Sequence, residues 1–250
     1  MANITPRPFM ADPRSLLYLL QLTSPALPIG AYSYSEGLEA LSQQGLLPDV
    51  DALETWMTQE LRYGSIRLEA SMLPKVYEAA DAADLETIIS CNQWLSALRE
   101  TEELRQQSWQ MGQSLQQLLT QLDPAFGPLL PMRPCNVAIA FAVAAARWHL
   151  SPYETVVGYL YSWMTTGVSA GVKLIPLGQT AGQQLQQRLY PDIEAAARMV
   201  LTTSDSWWDW TSDDSAERAD LHSGCQQISS WGLSLASMTH ETLYSRLFRS

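Results

Sequence analysis

The stretch NVAIAFAVAAARWH, residues 136–149, has no polar side chain between Asn136 and Arg147. Apolar on every face, it predicts a central, fully buried helix rather than a surface one. Its many alanines permit close approach of neighbouring helices. The run Val137 to Ala146 is the longest uninterrupted apolar stretch in the chain. It spans only about half of the ~20 residues needed to cross a bilayer, so it reads as protein interior. Other helices must therefore surround it, and the flanking sequence supplies them. Ser151-Pro152-Tyr153-Glu154 has a capping Ser, Pro at the first helical position and Glu at the third. An apolar stretch with Tyr159, Tyr161 and Trp163 follows to Ala170.

Upstream, Ala97, Leu104, Met111, Leu115, Leu118 and Leu122 fall on one stripe at 100° per residue, which predicts a helix over 97–122. Glu100, Glu102 and Glu103 lie in its first turns, where the helix dipole favours them. Trp109 lies off that stripe, on a Gln-rich face, and reads either as a second packing contact or as an oligomer contact. Asp12-Pro13 predicts a helix start. The segment Ser24 to Gly30, with two prolines and a glycine, predicts a docked loop. A helix is expected from near Ser33 to Gly45, a terminating glycine. Asp51-Ala52-Leu53-Glu54 reads as a variant capping box opening a long helix that runs past Gly64 and bends or breaks at Pro74. Pro176 interrupts the later pattern. Gln179 to Tyr190 resumes it, and Pro191 is expected to open a further helix.

No sustained alternation of period two and no repeat of 20–50 residues occurs, so the chain reads as all-α. The expected architecture is a single compact multi-helix domain with a partner-binding C-terminal tail. Its expected parts are a flexible N-terminus at 1–12, a helical core at 13–203, an acidic Trp-containing loop at 204–224, and a C-terminal segment and tail of the same domain at 225–250. Trp207, Trp208 and Trp210 lie among six carboxylates in that loop and are expected to fold back or to meet a partner.

With 250 residues, 46% hydrophobic, the chain can bury a core without disulfides or a structural metal. A net charge of −11 argues against nucleic acid and against an anionic membrane surface. Cys91, Cys135 and Cys225 are widely spaced and odd in number, which fits a reducing compartment. Met1 to Arg14 lacks the apolar core of a signal peptide, so a cytoplasmic location is expected.

Most catalytic signatures are absent from the sequence: no G-x-x-x-x-G-K-[ST], no G-x-S-x-G and no H-E-x-x-H occurs. His222 and Cys225 have a spacing compatible with two soft metal ligands, but zinc-type sites want four. His240-Glu241 reads as a base with its orienting partner or as a salt-bridged pair. Lysine is scarce, and Lys173 sits between apolar neighbours in GVKLIP, residues 171–176, either snorkelling from a helix end or presented to an anionic partner. The ending ETLYSRLFRS, residues 241–250, combines Arg246 and Arg249 with Leu247 and Phe248. That is the composition of an interface anchor as well as of a tail packed on its own core.

The stretch Leu19 to Glu39, LLQLTSPALPIGAYSYSEGLE, resembles the opening of the urease accessory protein UreF family. Glu60 to Gly64, Thr101 to Arg105 with Gln110 to Leu115, Lys173 to Gln179 and Ser237 to Ser250 match further blocks in order, from about residue 15 to the end. Leu243 departs from the family, which usually has Gln there, and the Trp-rich acidic stretch looks particular to this chain. The resemblance implies an all-helical, homodimeric, non-enzymatic scaffold. Such a scaffold would bridge UreD (also called UreH) and the P-loop GTPase UreG, modulate that GTPase, and help insert nickel into apo-urease. No cofactor would be held tightly: Ni²⁺ would pass transiently, GTP would be bound by UreG, and no metal site is assigned to this chain.

On this reading the partner-binding residues are Lys173, Pro176 and Gln179 towards the GTPase, and Tyr244, Arg246, Leu247, Phe248, Arg249 and Ser250 towards UreD. The tail is expected to become ordered on binding UreD. A second candidate surface comprises Pro28, Gly30, Tyr32, Tyr34 and Glu36, which could equally be a structural brace. The alternatives are a helical adaptor unrelated to urease, docking through the Trp-rich segment, and a helical metalloenzyme using His222, Cys225 and His240.

Overall fold

A computed structural model describes residues 13–203, 231–240 and 246–249. Among these the chain is all-α, with ten α-helices and no strand. They are α1 (Pro13–Leu22), α2 (Leu38–Gln43), α3 (Val50–Tyr63), α4 (Ser65–Asp81), α5 (Leu85–Leu98), α6 (Glu102–Leu122), α7 (Val137–Arg147), α8 (Pro152–Leu174), α9 (Gln179–Thr203) and α10 (Trp231–His240). Residues 1–12 and the acidic stretch with Trp207, Trp208 and Trp210 lie outside the described residues. So do His222, Cys225, Glu241, Leu243, Tyr244 and Ser250.

α7 is the centre of the fold. Every residue from Val137 to Ala146 is buried, as its all-round apolar sequence requires. It packs most extensively on α4 and α6, while α8 and α9 pack on each other and α3 lies against α9. The close approach of α6 depends on Gly112: a Cβ there would lie 2.1 Å from the Cys135 carbonyl oxygen. Ser151 and Glu154 form the expected reciprocal cap at the start of α8. Gly45 (φ +73°) ends α2, and the Leu46 N–H bonds back to the Leu41 carbonyl, as in a Schellman stop. Leu27 and Ile29 pack against the core, so the loop from Ser24 to Gly30 is docked. Among the described residues no helix is long and apolar enough to cross a membrane.

Several boundaries differ from the sequence expectation. The helix over 97–122 is two helices. Ala97 belongs to α5, and Thr101 starts α6 by accepting from the Leu104 N–H at 3.2 Å. The apolar stripe runs across the break, so periodicity alone could not locate it. The buried face of α6 also carries polar groups, Gln107, Ser108 and Gln116. Ser108 reaches Asn136 Oδ1 at 3.0 Å, and Gln116 donates to the Leu130 carbonyl.

The long helix expected after Asp51 breaks at Gly64, whose extended backbone separates α3 from α4, and its N-cap is Asp49, which accepts from the Ala52 N–H at 2.9 Å. Pro74 lies inside α4 and Pro191 inside α9 without ending either. Pro191 and the residue one turn before it, Gln187, are both exposed, so the carbonyl that loses its partner faces water. α2 begins at Leu38 rather than near Ser33, because Glu36 (φ 50°) and Gly37 (φ 78°) adopt left-handed backbone. That turn aims Glu36 into the interior.

Candidate functional site

Two polar sites lie on either side of the Glu36-Gly37 turn. The first is internal. Glu36 accepts from Trp163 Nε1 at 2.7 Å and from Gln107 Nε2 at 2.9 Å. Beside it, Glu69 of α4 receives the Tyr159 hydroxyl and pairs with Arg99, which ends α5. These groups line a cavity of about 70 Å³ together with Glu60, Met57 and Phe141. Burial and the neighbouring Glu69 push the Glu36 carboxyl above its ordinary range, against Arg99 and the two hydrogen bonds, which oppose the shift. Burial works against the Arg99 charge, but Glu69, Tyr159 and Glu36 outweigh it and hold its pKa up. Desolvation and Glu69 drive the Tyr159 hydroxyl well above its usual value, so it remains a donor.

The second site holds the C-terminal tail. Glu39, on α2, is buried, and its carboxylate faces three donors or donor-capable groups. It accepts from the Leu247 N–H at 2.6 Å and from the Phe248 N–H at 3.0 Å, and it lies 3.2 Å from His240 Nε2. The other ring nitrogen, Nδ1, lies 2.9 Å from Glu103 of α6. Ser237 ties the same carboxylate to the Thr101 cap, reaching Glu103 at 3.3 Å and Thr101 Oγ1 at 2.8 Å. The Arg249 N–H donates to the Ser33 carbonyl at 2.8 Å. Phe248 is 6% exposed, and Lys173 Nζ stands 5.3 Å from its ring centroid. Leu247, by contrast, is 64% exposed.

This seat brings together residues that the sequence places far apart. Lys173 and the tail, expected to face different partners, are in contact through Phe248. Tyr32, 74% exposed, shares a small cavity with Lys173 and Leu27, and it neighbours the Ser33 carbonyl that receives Arg249. Pro176 and Gln179 are exposed where α8 gives way to α9. Pro28 is exposed and Gly30 half-buried at the edge of the docked loop.

Two candidates of the second surface point inward instead. Tyr34 is buried with its hydroxyl on Gln110 Oε1 at 2.6 Å, and Glu36 serves the internal cavity. Both brace the fold. Of Arg246 to Arg249, Phe248 packs into the chain's own core, while Arg246, Leu247 and Arg249 are exposed. Trp109 is half-buried and donates from Nε1 to Ser96 Oγ at 3.0 Å.

The residues that sequence reasoning missed as site members are Glu39 and Glu103. Glu39 had a readable signal: an acidic residue amid Leu38, Ala40 and Leu41, all buried, belongs on a buried face only with partners. His240 is fully buried, and each of its ring nitrogens is turned to one of those two carboxylates. Among the described residues no group of three or more His, Cys, Asp or Glu is arranged to hold a metal ion. Burial raises the Cys91 thiol to about 11 and the Cys135 thiol to about 12, which removes both as thiolate ligands or nucleophiles near neutrality.

The UreF family model matches residues 47–190, from the start of α3 into α9. The urease accessory protein UreF of Nostoc sp. is 50% identical over 236 residues, covering 94% of this chain and 95% of that protein. That of Microcystis aeruginosa is 45% identical over 245 residues, covering 96% and 100%. The protein of the same name from Pseudomonas paraeruginosa is 38% identical over 235 residues, covering 92% and 97%. With relatives this similar spanning nearly its whole length, the chain belongs to the UreF family.

Proposed function

We propose that this chain is a urease maturation factor, a non-enzymatic helical scaffold of the cytoplasm. In this role it joins UreD and the GTPase UreG to apo-urease while nickel is inserted. The observation that carries this reading is the tail seat. Glu39, Ser33 and Phe248 hold the tail in place, while Leu247 and Tyr32 stay exposed beside Lys173, an exposed cation that stands over the Phe248 ring.

A buried anchor beside an exposed aromatic and an exposed Leu is the make-up of an interface core, with charged groups at its rim. UreD would bind over Leu247, Arg246 and Arg249, with Tyr244 and Ser250 completing the contact. UreG would approach along Lys173, Pro176 and Gln179. Because these two surfaces meet at Phe248, occupation of one alters the other, which is how a scaffold without a nucleotide site could modulate a GTPase. Nickel is cargo here: it passes through the assembly and is not retained by this chain, whose partner in the assembly includes a second copy of itself.

The test is the nickel content and activity of urease from a urease-positive host lacking this gene. Complementation with the wild-type chain should restore both. A chain truncated before Arg246, or carrying Leu247→Arg, should leave urease nickel-poor while the chain itself stays folded. Normal nickel and activity in the deletion strain would refute the proposal and favour an adaptor unrelated to urease.

A further inference from the structure

Of the arginines of the helical body, Arg62, Arg99, Arg147, Arg188 and Arg198 each meet a carboxylate, and Arg67 donates to the Arg62 carbonyl at 2.6 Å. Arg105 and Arg133 meet no carboxylate among the described residues, and both line one groove of about 490 Å³ between α5, α6 and the segment before α7. Its apolar floor includes Ile89, Trp109 and Met132, and Gln93 stands exposed on its wall. Among the described residues no acidic one lines it. In a chain of net charge −11, a two-arginine groove without a carboxylate is locally opposite in sign to the rest of the molecule.

Hydrogen bonds tie the walls of the groove together. Asn92 donates to the Pro134 carbonyl at 2.8 Å and accepts from the Asn136 N–H at 2.9 Å, and Trp109 is fixed by its bond to Ser96. Arg105 is short of acceptors. One Nη2 N–H reaches the Arg99 carbonyl at 3.2 Å, but its buried Nε has no hydrogen-bond partner.

We infer that this groove is a docking site for an acidic segment of another protein of the urease maturation assembly. The segment would place an apolar or aromatic side chain on Trp109 and carboxylates on Arg105 and Arg133. Arginine offers carboxylates paired, planar hydrogen bonds, and Arg with Trp is the composition of an interface hot spot. The seat of the C-terminal tail is a different surface, so the groove adds a contact to the scaffold and leaves that one unchanged. The inference rests on the maturation reading above.

The experiment places the photocrosslinking residue p-benzoylphenylalanine at Gln93 of the full-length chain, expressed in the gene-deleted urease host. The cross-linked peptide is identified by mass spectrometry. A cross-link to an acidic segment of another protein, lost on adding Arg133→Glu, is the expected result. Arg133→Glu should also lower urease activation roughly 30-fold, as loss of a hot-spot contact does. Its circular dichroism and melting should match the wild type, because Arg133 is exposed and bonds no side chain among the described residues. A cross-link to residues 204–224 of the same chain, to a second copy, or to nothing overturns the inference. So does full activation by Arg133→Glu in a strain that the wild-type chain restores. Failure of the wild-type chain to restore urease overturns the maturation reading itself, and the groove assignment with it.

Discussion

Glu36 and Glu39 are three residues apart, and both carboxylates are withdrawn from water, but they are satisfied in opposite ways. Glu36 is held by side chains of two long helices, Gln107 of α6 and Trp163 of α8. Glu39 is held by backbone N–H groups of a tail more than 200 residues away and by a histidine on α10. The donors of Glu36 cannot leave without unfolding the core, whereas those of Glu39 belong to a short segment at the chain end. The difference separates a structural polar site from an exchangeable one. Burying a carboxylate is tolerated in both places because each finds hydrogen-bond partners. On the proposed function, it is at Glu39 that a partner protein would offer replacements.

The largest effect should come from the structural site. Arg99→Met leaves Glu69 buried with only the Tyr159 hydroxyl and places a second carboxylate, Glu36, nearby without its cation. Removing one member of a buried ion pair costs about 3–5 kcal/mol. Urea denaturation should report a loss of that size, with the entire helical signal melting together. Were the variant to lose stability only at α10 and the tail, the division drawn between the two sites would be wrong.

Glu39→Gln should act the other way, locally. The amide presents an N–H where the carboxylate received donors, which costs about 2 kcal/mol in unmade hydrogen bonds. Amide exchange at Leu247 and Phe248 should quicken about 30-fold, since every 1.4 kcal/mol is a factor of ten. Exchange in α7 should stay at the wild-type rate. Equal acceleration in both places would mean that the tail is part of the cooperative core.

The core was legible because its signals are local. Fourteen consecutive residues define α7, four define the Ser151–Glu154 cap, and one glycine ends α2. The misplaced boundaries share a cause: a local signal was overruled by packing. The stripe from Ala97 to Leu122 keeps its phase across the Thr101 break, and Pro191 stays inside α9 because its orphaned carbonyl is solvated. The tail seat was less legible. Its chemistry joins positions 39, 103, 173, 240 and 248, and no window of sequence contains two of these interactions. Lys173 and the tail were visible as oddities of composition, but their contact follows only from the three-dimensional path of α8 and α2.

Glu36 sharpens the comparison through pH. Its folded pKa lies above the unfolded value, so the folded chain holds a proton more tightly than the unfolded one. The stabilisation is fully present below the unfolded pKa and is lost as pH rises through the folded pKa. Above the ordinary carboxylate range, stability should therefore fall with pH, with a slope of at most about 1.4 kcal/mol per pH unit for one proton. Glu36→Gln, which cannot titrate, should flatten that slope in urea melts across the same window. An unchanged slope would mean that another group carries the dependence.

The smallest effect lies at the outer edge of the tail seat. Lys173 is exposed at the end of α8, and its interaction with the Phe248 ring at 5.3 Å is a cation–π contact in reach of water, worth about 0.5 kcal/mol. Lys173→Met keeps the aliphatic stem on the ring and removes only the charge. Exchange at Phe248 should rise about twofold, a tenth or less of the Glu39→Gln effect, and global stability should not move. Urease activation by the same variant should fall by far more than twofold, because the charge faces outward as well as over the ring. If activation falls only in proportion to tail exchange, Lys173 acts through the tail and presents nothing of its own to a partner.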